Sequence, residues 1–138
     1  MKGLVLASAL SVVWASVGAA NPAAVSGIVR GDFDGDGILD SATLIQSERK
    51  IEISIDHGGS SAAAQVLEFG VDPSVQEAIC QLPAKLTSTP QNCSPMDEPL
   101  PGCKLVPGAI GLTLSDGECD SIYLYWDHGA SKMAWWRL

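Results

Sequence analysis

Basic residues are scarce in this chain: eight lysines and arginines stand against sixteen acidic residues in 138, a formal net charge of −8. With no basic stripe to neutralise phosphates, nucleic acid is excluded as a partner. Histidine is scarcer still, with only two, and the four cysteines form no C-x-x-C pair, so no zinc ligand set is recognisable. The G-x-S-x-G context of a nucleophilic serine is missing as well. After the first twenty residues no apolar run is long enough to span a bilayer.

Those first twenty residues have the pattern of a secretory signal. Lys2 precedes an apolar run from Leu4 to Val17, and the small residues Gly18, Ala19 and Ala20 offer a cleavage site. The expected organisation is a signal peptide over 1–20 and a single calcium-binding β domain over 21–138, exported to a periplasmic or extracellular compartment without a membrane span after cleavage. Cleavage removes Lys2 as the one charged residue, leaving sixteen acidic residues against seven basic ones, a net charge of −9.

In an exported domain of about 118 residues, an even cysteine count reads as disulfides. Cys80, Cys93, Cys103 and Cys119 are expected to form two bridges, with three pairings open. A hairpin centred on Asp116-Gly117 sets Cys119 opposite the region near Thr113, which disfavours a bridge from Cys103 to Cys119.

Period-two alternation dominates the rest. Ile51, Ile53 and Ile55 alternate with Glu52, Ser54 and Asp56, and this strand pairs with residues 41–46 across a polar Ser47-Glu48-Arg49 turn. Residues 65–70 form a third strand. Asp72-Pro73 predicts an N-cap with proline at the first helical position, opening a short helix that ends near Leu82-Pro83. Residues 83–107 read as a long proline-rich loop held by cysteines. Ile110, Leu112 and Leu114, then Ile122, Leu124 and Trp126, make a second hairpin, and residues 132–137 a last strand. The expected fold is mainly β, a small antiparallel domain built from hairpins with one short helix and two disulfides.

The chemistry concentrates between residues 31 and 40. Asp32, Asp34, Asp36 and Asp40 crowd one glycine-broken loop, and carboxylates at two-residue intervals repel one another unless a hard cation lies between them. Counting Asp32 as position 1, side-chain oxygens fall at 1, 3, 5 and 9, Gly37 takes the sharp turn at 6, and the Ile38 carbonyl serves at 7. Position 12 is Thr43 instead of the bidentate Glu of an EF-hand, and a strand pattern follows instead of a helix. A weaker echo, Asp116-Gly117 with Asp120-Ser121 and Leu124, has Leu112 and Leu114 where the first two carboxylates would stand, so it is not expected to hold calcium.

The run Asp32-Phe33-Asp34-Gly35-Asp36-Gly37-Ile38-Leu39-Asp40 resembles the D-x-D-x-D-G-x-x-D loop of FG-GAP and VCBS repeat proteins, including the integrin α-chain propeller. The resemblance covers about 15 to 25 residues. It implies calcium held by the side chains of Asp32, Asp34, Asp36 and Asp40 and by the carbonyl of Ile38. Those families repeat the loop several times, whereas it occurs once here.

Near the C-terminus, Tyr123, Tyr125, Trp135 and Trp136 are candidate ligand aromatics, since ring faces suit the apolar faces of sugars. Alternation sends neighbours to opposite faces, so core packing claims some of them. His57 and His128 each sit in an Asp-His-Gly triplet, which turn formation explains better than an oriented general base. The function expected is an exported small domain with calcium in a structural, non-catalytic role. Two other classes compete with it: a calcium-dependent module binding glycan or an envelope surface protein, and a small envelope hydrolase or hydrolase inhibitor.

Overall fold

The computed structural model describes Gly18 and residues 22–138. Apart from Gly18, the expected signal peptide lies outside the described residues. Eight strands follow in chain order: β1 (Ala24–Gly31), β2 (Asp40–Gln46), β3 (Lys50–Asp56), β4 (Gln65–Gly70), β5 (Lys85–Pro90), β6 (Ile110–Ser115), β7 (Ile122–Asp127) and β8 (Lys132–Trp136). They form two antiparallel four-stranded meanders, β1-β2-β3-β4 and β5-β6-β7-β8.

The alternation read from sequence decides which face of each sheet is dry. Ala42 and Leu44 of β2, Ile51, Ile53 and Ile55 of β3, and Phe69 of β4 point to one side. Leu86, Leu112, Leu114, Ile122, Leu124 and Met133 do so from the second sheet, and the two sets merge into one core. Each fully buried isoleucine or leucine contributes about 1.5–3 kcal/mol. A slip of one residue in register would turn β3 inside out and lose all three of its isoleucines from the core.

Two glutamines fasten one sheet to the other by imitating a strand's backbone. Gln65 donates through Nε2 to the Met133 carbonyl at 2.9 Å and accepts the Met133 N–H at 2.8 Å, joining β4 to β8. Gln46 clasps Ala84 in the same way, at 3.0 and 2.8 Å, joining the end of β2 to the approach to β5.

The disulfides pair Cys80 with Cys119 and Cys93 with Cys103, and no described cysteine is free. Disulfides of this kind belong to an oxidising, non-cytoplasmic compartment.

Two expectations about the middle of the chain are corrected. No helix forms between Asp72 and Pro83. The Asp72 carboxylate does accept the N–H of Ser74 at 2.9 Å, but the chain then makes successive tight turns, with Val75 N–H on the Asp72 carbonyl and Ala78 N–H on the Val75 carbonyl. Val71 pairs in parallel with Ile79, whose side chain is buried. A helix of so few residues has little stability of its own, and the bridge, the core and the Cys80–Cys119 disulfide set this segment's path instead. The proline-rich stretch also contains β5, which the sequence reading missed. Its polar Lys85-Leu86-Thr87-Ser88-Thr89-Pro90 composition suits an edge strand with one buried side chain, Leu86.

Candidate metal centre

The acidic loop joins β1 to β2. Gly35 and Gly37 adopt φ of +81° and +84°, a region that penalises a Cβ, so glycine lets the chain coil tightly enough to converge its carboxylates. Asp32 organises the coil from inside, accepting the N–H of Gly35 at 2.7 Å on one oxygen and of Gly37 at 2.9 Å on the other. Asp34 accepts Asp36 N–H at 3.0 Å, and Asp36 accepts Ile38 N–H at 2.7 Å. Oxygens of Asp32, Asp34 and Asp36 thereby lie within 4.8 Å of one another. Asp36 and Ile38 are exposed, so the open side of the loop faces solvent.

Asp40 is different, at 2 % exposure. Its Oδ2 accepts Phe33 N–H at 2.7 Å and its Oδ1 accepts Gly58 N–H at 2.8 Å. One carboxylate therefore ties the start of the loop to the turn after β3. Phe33, fully buried, plugs the loop into the core. From β6, Ile110 N–H donates to the Asp32 carbonyl at 2.9 Å, and Val106, in the loop before β6, packs so closely on Gly35 that a Cβ there would lie 3.1 Å from it.

The structure brings to the loop one residue that the sequence reading assigned only to a turn. His57 Nδ1 stands 3.5 Å from Asp34 Oδ2 and 3.6 Å from Asp40 Oδ1. That nitrogen is buried without a hydrogen-bond partner although the side chain as a whole is only half-buried, and the ring meets Trp126 edge-on at 4.7 Å. Asp34, Asp40 and His57 thus form a second group able to hold a metal. Hairpin register was the available signal. Pairing Ser41 with Asp56 across the 47–49 turn sets residue 57 beside Asp40.

Burial pushes the Asp34 carboxyl above its ordinary range; the Asp36 N–H opposes this, while the Asp40 and Asp36 charges add to it. The donor set fits calcium, which takes carboxylate and carbonyl oxygens in a flexible shell.

The echo around Asp116 has another use. Asp116 is buried and accepts the N–H groups of Cys80 at 2.6 Å, Glu118 at 2.8 Å and Cys119 at 2.9 Å, while Asp120 is exposed. The first copy precedes the second strand of its sheet and the other copy the third strand, so the two are not equivalent positions.

The four candidate aromatics separate. Tyr123 and Trp136 stack, centroids 4.5 Å apart and planes 13° from parallel. Tyr125 is buried, with its hydroxyl donating to the Pro101 carbonyl at 3.1 Å. Trp135 turns to the core and meets Phe69 edge-on at 5.7 Å. His128 lies at the β7–β8 turn, where its N–H donates to the Gly102 carbonyl at 2.9 Å. No protein-family model, curated protein or solved structure matches the chain.

Proposed function

We propose that this chain is an exported β domain in which one calcium ion has a structural, non-catalytic role, in a loop of the FG-GAP and VCBS type. The side chains of Asp32, Asp34, Asp36 and Asp40 and the Ile38 carbonyl would hold the ion. The observation that carries the reading is the convergence of the Asp32, Asp34 and Asp36 oxygens within 4.8 Å, beside a buried Asp40 that already bridges two backbone segments.

Calcium supplies countercharge to these crowded carboxylates. The chain's own groups do the positioning: Asp32 coils the loop, Phe33 anchors it, and Asp40 locks it to the turn at Gly58. A loop fastened to both sheets in this way conveys any gain in loop order to the whole domain, which supports a structural role. Binding to the native state alone stabilises it by mass action, about 2.7 kcal/mol at 100 times the dissociation constant. Thermal melts in calcium and in EDTA test this reading: a higher midpoint in calcium for the wild type and coincident melts for Asp36→Ala support it, and wild-type melts that EDTA leaves unchanged reject it.

A further inference from the structure

The outer face of the second sheet has a cleft of about 190 Å³ that the metal reading does not use. One side is the stacked pair of Tyr123 and Trp136, set directly opposite each other in the β7–β8 register. At 4.5 Å the two rings admit nothing between them, so the pair presents an outer aromatic face and an edge. Beside them the backbone of Gly111 forms part of the lining. A Cβ there would lie 2.9 Å from the Leu124 carbonyl oxygen and 3.3 Å from the Thr89 methyl group, so glycine keeps this stretch flat.

Gln91 and Asn92, which follow β5, also line the cleft. The Gln91 Oε1 accepts Val106 N–H at 3.0 Å and the Asn92 Oδ1 accepts Ser94 N–H at 3.1 Å. Each amide is therefore oriented by its oxygen, and among the described residues its NH₂ donors remain uncommitted. The adjoining segment is held by the Cys93–Cys103 disulfide, by Leu100 N–H on the Cys93 carbonyl at 2.7 Å, and by the Tyr125 hydroxyl on Pro101. The wall is thus fixed in place without a ligand.

No carboxylate, amine or guanidinium lines the cleft, although the chain carries a net charge of −8. An ionic ligand would find no partner there. A flat aromatic face beside oriented neutral donors complements a molecule with an apolar face and a rim of hydroxyls. We propose that this cleft binds a neutral saccharide, with one pyranose ring against the Tyr123–Trp136 pair and its hydroxyls accepting from the Gln91 and Asn92 amides. The proposal stands apart from the metal reading, because no acidic side chain of the loop lines the cleft.

The test is titration of the full exported chain with cellotetraose, maltotetraose and chitotetraose, with tetragalacturonate as an anionic control, followed by tryptophan fluorescence and by the side-chain amide and indole NMR signals. At least one neutral tetrasaccharide is expected to saturate shifts of the Gln91, Asn92 and Trp136 signals, with tetragalacturonate at least about tenfold weaker. Trp136→Ala should weaken binding at least about tenfold, and Thr89→Trp, which fills the cleft while leaving the aromatic pair in place, should abolish it with an unchanged circular dichroism spectrum. Silence of these signals with all three neutral probes overturns the proposal. So does wild-type affinity in a folded Thr89→Trp variant, or equal affinity for the anionic control.

Discussion

The Asp40 carboxylate accepts the backbone N–H of Gly58 at 2.8 Å, and through that bond the acidic loop and the turn after β3 become one unit. Gly58 can be nothing larger, since a Cβ would collide with the Leu39 carbonyl oxygen and crowd the Ile38 side chain at 2.7 Å. Two substitutions should therefore separate a carboxylate that braces the fold as well as facing the ion from one that chiefly serves the ion. Asp40→Ala strands the buried N–H of Phe33 and the half-buried N–H of Gly58 and should cost roughly 2–4 kcal/mol even without metal. Asp36→Ala removes an exposed side chain and should cost under about 1 kcal/mol in EDTA while abolishing the calcium response. Urea unfolding in EDTA reads both values, and equal losses would contradict the division of labour.

Gly58→Ala should push the Ile38–Leu39 segment outward and weaken calcium binding at least about tenfold, although residue 58 offers the ion no side chain. Gly37→Ala, where a Cβ meets nothing but φ is +84°, should cost about 1 kcal/mol through backbone strain. Calcium titration of the two variants distinguishes steric displacement from strain.

Asp116 gives the molecule a pH dependence. Burial raises its pKa, but the N–H groups of Cys119, Cys80 and Glu118 outweigh burial and hold the carboxyl below its ordinary value. A depressed folded-state pKa contributes stability that is complete above the unfolded-state value of about 3.9 and is lost as pH falls through the folded-state value. Stability should therefore fall on acidification below about pH 4, and Asp116→Ala, expected to cost about 1.5–3 kcal/mol at neutral pH, should flatten that slope. Chemical denaturation of both proteins between neutral and acid pH checks the sign.

The two disulfides should differ in worth. Cys80–Cys119 closes 39 residues of chain and Cys93–Cys103 closes 10, so loop-closure entropy makes the longer bridge the stronger constraint by about 1 kcal/mol. Paired Cys→Ala substitutions at each bridge, compared by urea unfolding, should show that order. Thiol alkylation of the exported protein without reductant should label no cysteine, and labelling of even two would contradict the pairing.

Much of this fold was legible because period-two alternation is a direct consequence of half-buried strands: Ile51, Ile53 and Ile55 sit inside as their spacing requires. β5 was hidden because an edge strand with one buried residue leaves almost no apolar signal. The helix expected after Asp72 failed for a related reason. Its capping residues are local, whereas the Val71–Ile79 pairing and the Cys80–Cys119 bond that override them are long-range. At the site, the interval of the aspartates made the acidic cluster itself legible, but placing His57 beside Asp34 and Asp40 required register as well as sequence. Trp135 and Trp136 were separable in principle by alternation, yet which of them faced the core depended on where Phe69 lay.

Isothermal titration of calcium into the chelator-free exported protein at low salt tests the central claim most directly. One calcium per chain is predicted, with a dissociation constant between about micromolar and millimolar, and no heat from Asp36→Ala. Absence of a calcium heat from the folded wild-type protein would contradict the account.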